Sequence, residues 1–399
     1  MKTSLRPLFI ICVIDVLGFG ILIPLVPYMA ERFGIEPQLI TPILGAYSLC
    51  QLIAAPLWGR LSDRYGRRPI LMLSLAGACV SYVMLGFAEN VWWLLASRVL
   101  AGFMAGNLSA AFAYASDVSE PHKRAASMGI VGAAIGVGFM IGPAVGGVLA
   151  GDNVNTANFV LPAAVSACLS IVAIMLVWLK LPESHDPRAQ PGGRGSVHRF
   201  GPLRLLRERP GLRLIALAAL CVTCSQAILE SIFAIWALAR FGFGPRTVGL
   251  IMFALAFVAV AMQAGLVRML VPRFGEMRVA MFGVCAYVLG LLIVADAAHL
   301  SSTLFGLALC GLGVGAFNPS ASSLASRQSL PGDRGAVMGT YQASTSLARV
   351  IGPFASGPIY AAFGPAAPFI AGACVTLPAL LFVWRARPGA TPDAVANES

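Results

Sequence analysis

Gly59-Arg60-Leu61-Ser62-Asp63-Arg64-Tyr65-Gly66-Arg67-Arg68-Pro69 is a short polar stretch between two long apolar runs. Four arginines and an aspartate within nine residues cannot lie in hydrocarbon, so we expect a tight loop at a membrane surface. The glycines at both ends permit close helix approach and a sharp turn. Asp63 and Arg67 are four residues apart and can pair if this part is helical. A loop that only sets membrane topology would also attract arginine.

The composition places the rest of the chain in lipid as well. Of its 399 residues, 58% are hydrophobic and 11% are charged, whereas a soluble domain carries about 25% charged residues. The apolar runs are continuous and long enough to span a bilayer as helices, without the alternation of barrel strands, so we expect an all-α polytopic membrane protein. The net charge of +11 is explained by loops that face anionic lipid, and nucleic acid is not expected as a partner.

Twelve apolar runs predict twelve transmembrane helices joined by short loops. Of the 28 Lys and Arg residues, 23 lie at the termini and in even-numbered loops, and three lie in odd-numbered loops. This bias places both termini in the cytoplasm. The runs are centred on residues 8–28, 40–58, 70–88, 93–115, 127–150, 158–180, 212–238, 247–270, 278–296, 302–325, 336–361 and 366–385.

An internal repeat divides the chain into two pseudo-symmetric halves. The segments 121–129 and 141–143 recur 210 residues later as 331–339 and 351–353, and Arg64-Tyr65-Gly66 matches Arg273-Phe274-Gly275 more weakly. Two such halves are expected to enclose a cavity near the membrane midplane. The predicted division is a six-helix bundle over 1–180, a cytoplasmic linker over 181–210, a second six-helix bundle over 211–387 and a disordered cytoplasmic tail over 388–399.

The loop pattern G-x-L-x-D-R-x-G-R-R resembles the signature that the major facilitator superfamily carries between its second and third transmembrane helices. In that family an acid at the end of the fourth span pairs with an arginine of the loop and latches the cytoplasmic side. Here the acid is Asp117, although a solvated acid beside Lys123 and Arg124 is the alternative. The resemblance implies a conformational latch made of Gly59, Asp63, Arg64, Gly66, Arg67, Arg68 and Asp117.

Three further segments resemble motifs of twelve-span drug:proton antiporters. Asp15 and the following residues 17–27 resemble the first-helix motif, and residues 94–106 resemble the fourth-helix motif, in which the arginine (here Arg98) is implicated in proton coupling. A buried arginine must otherwise snorkel or find an anion. Residues 138–147 resemble the fifth-helix motif of antiporters, whose small residues and proline allow close packing and bending. Its members are Gly138, Gly142, Pro143, Gly146 and Gly147.

Embedded polar residues mark the predicted coupling and substrate sites. A carboxylate in a span usually faces water or a partner, so Asp15 and Glu230, together with Arg98, are the proton-coupling candidates. Asp15 can alternatively reach cytoplasmic water, and Glu230 can be a structural acid paired with Arg349. An apolar cavity with few polar anchors suits amphipathic molecules. The predicted lining, each member of which can also be a packing residue, is Asn107, Tyr114, Gln226, Glu230, Phe233, Trp236, Asn318, Gln342 and Arg349.

The sequence contains no phosphate loop, metal-ligand cluster or catalytic Ser/His/Asp set. We therefore expect neither an enzyme nor an ATP-driven pump, no cofactor or metal, and a proton gradient as the energy source. The resemblance is closest to the branch that includes tetracycline efflux proteins. It implies a monomeric antiporter of the bacterial inner membrane, which exports amphipathic drugs such as antibiotics by alternating access.

One departure from that branch shifts the expected substrate. Tetracycline exporters carry acids in the third and ninth spans, where this chain has Ala78–Tyr82 and an apolar run with Tyr287. This favours a broader or different apolar or cationic substrate over metal-chelated tetracycline. Two alternatives stay open: export of an endogenous metabolite, sugar or lipid on the same fold, and a non-transporting sensor.

Overall fold

The computed structural model describes residues 5–120, 124–184, 202–330 and 333–386, without the side chains of residues 107, 125, 202 and 203. Within these ranges every regular element is a helix, as predicted for an all-α protein. The predicted tail and most of the predicted linker (185–201) lie outside the described residues.

Eight helices cover the described part of the chain up to residue 184. Pro24 separates the first two, since proline lacks the N–H that would continue the helix. Ala105 and Gly106 separate the fifth and sixth within the fourth predicted span. The helices are α1 (Arg6–Leu22), α2 (Leu25–Arg32), α3 (Pro37–Tyr65), α4 (Arg67–Gly86), α5 (Val91–Met104), α6 (Asn107–Asp117), α7 (Arg124–Ala150) and α8 (Val160–Lys180).

The described part from residue 202 onward contains nine α-helices and one π-helical turn (Met262–Leu266), which interrupts the eighth predicted span. The α-helices are α9 (Pro202–Glu208), α10 (Pro210–Phe241), α11 (Pro245–Ala261), α12 (Val267–Phe274), α13 (Glu276–Ala295), α14 (Leu300–Ser326), α15 (Arg334–Phe363), α16 (Ala367–Thr376) and α17 (Pro378–Arg385).

All twelve predicted spans coincide with helices. Eleven helical segments among the described residues are long and apolar enough to cross a membrane. The twelfth prediction corresponds to α15, whose 30 residues are about 45 Å long. Its polar stretch Gln342–Arg349 lowers its hydropathy, which is why length and composition alone do not single it out.

The contacts divide the described residues into two compact units whose boundaries differ from the predicted halves. The first unit is Met1–Gly193 with Ser231–Ala256, and the second is Arg194–Glu230 with Phe257–Ser399. Hydrogen bonds explain why 231–256 joins the first unit: the Tyr28 hydroxyl donates to the Phe243 carbonyl at 2.8 Å, and the Thr247 hydroxyl donates to Asp152 at 3.1 Å. The predicted division into two six-helix halves stays a prediction.

Candidate functional site

A glycine turn fixes the loop between α3 and α4. Gly66 has φ +99°, in a region that side-chain-bearing residues rarely adopt. α3 ends at Tyr65 and α4 starts at Arg67, so the turn occupies one residue. Arg67 therefore lies at the beginning of α4, next to the last turn of α3. At Gly59, by contrast, an added methyl group would meet no atom of the described residues within 4 Å, so this structure shows no close helix approach there.

Arg67 is the centre of the predicted latch. Its Nη1 donates to Asp63 Oδ1 at 2.6 Å and to Ser62 Oγ at 3.0 Å, and its Nε donates to Asp117 Oδ2 at 3.0 Å. The Arg67 side chain is only 9% exposed, whereas that of Asp117 is 28% exposed. The planar guanidinium can hold several acceptors in fixed directions. One side chain thus ties α3, α4 and the end of α6 together.

Glu183 belongs to the same site, although no motif in the sequence pointed to it. Its carboxylate accepts the backbone N–H of Arg67 at 2.8 Å and that of Arg68 at 3.1 Å. It therefore caps the first turn of α4, which Gly66 cannot cap because it has no side chain. A methyl group on Gly66 would lie 2.6 Å from Glu183 Oε2. No spacing rule relates residues 116 positions apart, so only the fold shows this contact.

The neighbouring predicted residues surround this site. Arg68 donates through Nη2 to the Trp178 carbonyl at 2.5 Å. The Arg64 guanidinium lies 5.4 Å from the centre of the Tyr65 ring. Tyr114 was predicted to line the substrate cavity, but it is buried and its hydroxyl donates to the Pro182 carbonyl at 3.0 Å. Tyr114 therefore binds the residue that precedes Glu183 and packs beside the latch.

The glycines of the predicted antiporter motif form a contact face of α7 against α1. Methyl groups would lie 2.9 Å from the Leu17 nitrogen at Gly138, 2.6 Å from the Gly20 Cα at Gly142, and 1.9 Å from the Ile21 carbonyl oxygen at Gly146. The two helices are therefore in backbone contact over two turns. On another side of α7, a methyl at Gly147 would lie 2.4 Å from the Pro245 carbonyl oxygen. Pro143 lies within this helix.

Two proton-coupling candidates occupy the interior of the first unit. Asp15 is half-buried and lines a small cavity of about 10 Å³ beside Cys12, Leu71 and Leu75, roughly the room of one water molecule. Arg98 is 3% exposed, so it does not snorkel. Its Nε and Nη2 atoms have no hydrogen-bond partner among the described residues. A buried guanidinium with two open donors is an attractive position for an anion.

Glu230 forms a polar cluster in the second unit. Gln226 Nε2 donates to Glu230 Oε1 at 2.8 Å, and Arg349 Nη1 lies 3.9 Å from Glu230 Oε2. The Glu230 and Arg349 side chains are 41% and 46% exposed. The ion pair is therefore loose and only partly buried, and it combines an acid with a permanent cation.

The other predicted substrate residues differ in their burial. Phe233 and Trp236 are each 2% exposed and pack on one another with ring centres 5.9 Å apart. Asn318 is half-buried on α14 and Gln342 is exposed on α15. The side chain of Asn107 is outside the described residues.

A further charged contact lies outside the spans. Arg209 donates to the Asp333 carboxylate and, through Nη1, to the Gln328 carbonyl at 2.9 Å. The Arg209 hydrogen bond lowers the pKa of Asp333.

Long apolar helices joined by a charged loop site define a polytopic membrane protein. The Major Facilitator Superfamily profile matches residues 8–295 and 215–399, so the chain belongs to this family. It is 30% identical over 371 residues to the class G tetracycline resistance protein of Vibrio anguillarum, covering 91% of each chain. It is 26% identical to Major facilitator superfamily domain-containing protein 10 of Mus musculus, covering 95% of this chain and 91% of that one.

The fold comparison agrees with the family assignment. The crystal structure described as the human organic anion transporter MFSD10 (TETRAN) superposes with a TM-score of 0.72 and 24% identity, covering 96% of this chain and 99% of that chain. The chain is a multi-pass membrane protein with the fold of a small-molecule transporter.

Proposed function

We propose that this protein exports amphipathic drugs in exchange for protons by alternating access. The observation that carries the proposal is the cluster of Gln226, Glu230 and Arg349. The cluster places a partly exposed carboxylate beside a guanidinium and an amide within a membrane span, where such groups usually have a functional role. Tetracycline resistance proteins of similar length support efflux as the general activity.

The coupling follows from the competition for Glu230. When Glu230 is ionised, it can pair either with Arg349, which lies 3.9 Å away, or with a cationic or polar substrate group. A proton from outside neutralises Glu230, and the substrate group then loses its counter-charge. Asp15 and Arg98 form the second pair of candidates for proton movement, and the Arg67 cluster biases the predicted cytoplasmic side toward its closed arrangement. No cofactor is needed, since the proton gradient supplies the energy.

The proposed setting is the bacterial inner membrane, with both termini in the cytoplasm and the monomer as the working unit. The distribution of Lys and Arg supports this orientation. Tetracycline is one test substrate among several and not the assumed one. The third span, and the interior of the ninth span between Glu276 and Asp296, lack the acids that the tetracycline branch carries.

A liposome assay tests the proposal. Proteoliposomes with an acidic interior should accumulate substrate from outside as protons leave, and Glu230→Gln should abolish this accumulation. Glu208→Gln is the matched control, because Glu208 is a similarly exposed acid (44%) paired with Arg204 outside the spans. If Glu230→Gln retains full gradient-driven transport, Glu230 is a structural acid and the coupling scheme is wrong.

Export of an endogenous organic anion is the second candidate. It is favoured by the open donor atoms of buried Arg98 and by the partly exposed Arg349. A panel that contains both lipophilic cations and aromatic carboxylates separates the two candidates. Arg98→Lys should impair anion transport more than cation transport if the guanidinium binds the cargo, because lysine keeps the charge but loses the planar fork.

A further inference from the structure

Two loops that the sequence repeat aligns have the same backbone turn. Gly66 has φ +99° and ψ 159°, and Gly275 has φ +81° and ψ 155°. The helices that follow them, α4 and α13, are both 20 residues long. The two loops are therefore equivalent positions of the first and second repeats.

The charges at these equivalent positions are exchanged. In the first repeat the residue after the glycine is Arg67, and its partner Asp117 ends α6. In the second repeat the residue after the glycine is Glu276, and its partner Arg327 directly follows α14. The repeat offset is 209 residues for the first member of each pair and 210 for the second.

The second pair is closely bonded. Arg327 Nε lies 2.8 Å from Glu276 Oε2, and Arg327 Nη2 donates to Glu276 Oε1 at 2.9 Å. The Ser323 hydroxyl donates to the same Oε1 at 2.6 Å. The Glu276 side chain is only 10% exposed and both of its oxygens are bonded, whereas the Arg327 side chain is 59% exposed. This two-pronged pair fixes the start of α13 against the end of α14.

The exchange of charge reverses the relation of each pair to the helix dipoles. A helix favours an anion at its first turn and a cation at its last turn. Glu276 begins α13 and Arg327 follows α14, so both charges agree with the dipoles. Arg67 begins α4 and Asp117 ends α6, so both charges oppose them. The helix dipoles act on all four charged groups. We therefore expect the ratio of closed to open forms to be about tenfold higher for the Glu276–Arg327 pair than for the Arg67–Asp117 pair.

Glu183 partly offsets this disadvantage in the first repeat. Its carboxylate holds the first two N–H groups of α4, beside the two arginines that begin the helix. In the second repeat Glu276 itself supplies the negative charge at the helix start. The first pair therefore depends on a carboxylate from a distant segment, whereas the second pair is complete within its own two helices.

We propose that Glu276, Arg327 and Ser323 form a second, charge-inverted latch that stays closed while the Arg67–Asp117 latch opens and closes. They are positioning residues that keep α13 and α14 together as one body. This inference rests on the proposed alternating-access cycle.

Hydrogen exchange measured by mass spectrometry tests the asymmetry on the full-length protein in lipid nanodiscs. Segment 62–70 should exchange about tenfold faster than segment 274–280 after correction for intrinsic rates. Glu183→Gln should accelerate exchange of the first segment alone, and Glu276→Gln that of the second alone. Equal protection of both segments in the wild type would overturn the proposal.

A charge swap tests whether the orientation of the Glu276–Arg327 pair relative to the helix dipoles affects its stability, beyond the attraction of opposite charges. The double variant Glu276→Arg/Arg327→Glu keeps opposite charges but opposes both dipoles, so segment 274–280 should exchange about tenfold faster than in the wild type. Ser323→Ala, which retains the ion pair, is the milder variant and should give a smaller increase. A swapped variant with wild-type exchange would refute the dipole argument. These readouts need no transported substrate. If no substrate moves in liposomes while segment 62–70 still exchanges faster than segment 274–280, the transport proposal fails and the asymmetry remains.

Discussion

Replacement of Gly146 by alanine is expected to disrupt the contact between α1 and α7. The new methyl carbon would lie 1.9 Å from the Ile21 carbonyl oxygen, whereas an unstrained carbon–oxygen contact needs about 3.3 Å. The helices must therefore separate locally by more than about 1 Å, which forfeits a quarter to a half of the dispersion energy along the contact. Overpacking of this kind costs about 1–3 kcal/mol, and the better helix propensity of alanine returns about 1 kcal/mol at most.

Gly136 is the matched control on the same helix. A methyl group there meets nothing within 4 Å, so Gly136→Ala should stabilise the protein by up to about 1 kcal/mol. Thermal unfolding in detergent, followed by intrinsic fluorescence, should show Gly146→Ala melting several degrees below Gly136→Ala, at about 2–4 °C per kcal/mol. Gradient-driven transport should fall only in Gly146→Ala. If the two variants have the same Tm and the same transport rate, the backbone contact between α1 and α7 is not as described.

Three further predictions concern the charged groups outside the hydrocarbon. Asp117→Arg should lower transport about tenfold or more at normal expression, because the attraction to Arg67 is lost and repulsion replaces it. The double variant Asp117→Arg/Arg67→Asp should recover only part of the transport rate, because Arg67 also pairs with Asp63. Gly66→Ala should lower Tm more than Gly275→Ala. Both glycines have positive φ, but only at Gly66 would the added methyl group lie within 3 Å of a carboxylate. An equal decrease of Tm in the two variants would contradict this prediction. Asp333→Asn should cost about 0.5–1 kcal/mol at pH 7. The folded-state pKa of Asp333 is lowered, so the stabilisation by its carboxylate is present above the usual aspartate pKa. The Tm difference between Asp333→Asn and the wild type should therefore narrow as pH falls below about 4. A Tm difference that does not depend on pH would show that the Arg209–Asp333 ion pair does not cause it.

The spacing of apolar residues was sufficient to predict the helices, because a bilayer demands a long continuous run for each span. The breaks at Pro24 and at Gly106 were harder to anticipate, since proline and glycine are tolerated inside many membrane helices. The polar half of α15 shows the opposite case: a predicted span keeps its helix while carrying Gln342 and Arg349. The apolar run over 336–361 and the sequence repeat identify this span, although its average hydropathy is lower.

Contacts between functional residues could be predicted from the sequence only where the residues lie close together along the chain. Asp63 and Arg67 are one helical turn apart, so sequence spacing could suggest their pairing. Glu183 is far away in the sequence, and nothing in its own neighbourhood indicates that it caps α4. The burial of Arg98 was also undecided, because a position six residues into a span is compatible with both snorkelling and burial. Such contacts depend on which helices pack together, and a periodic pattern does not contain that information.

Glu230 is the residue proposed to couple protons to substrate movement. The most direct measurement is substrate accumulation by proteoliposomes with an acidic interior, for the wild type, Glu230→Gln and the control Glu208→Gln. Gradient-dependent accumulation is expected in the wild type and the control, and none in Glu230→Gln. Accumulation that is unchanged in Glu230→Gln, or independent of the gradient in all three proteins, would contradict this role of Glu230.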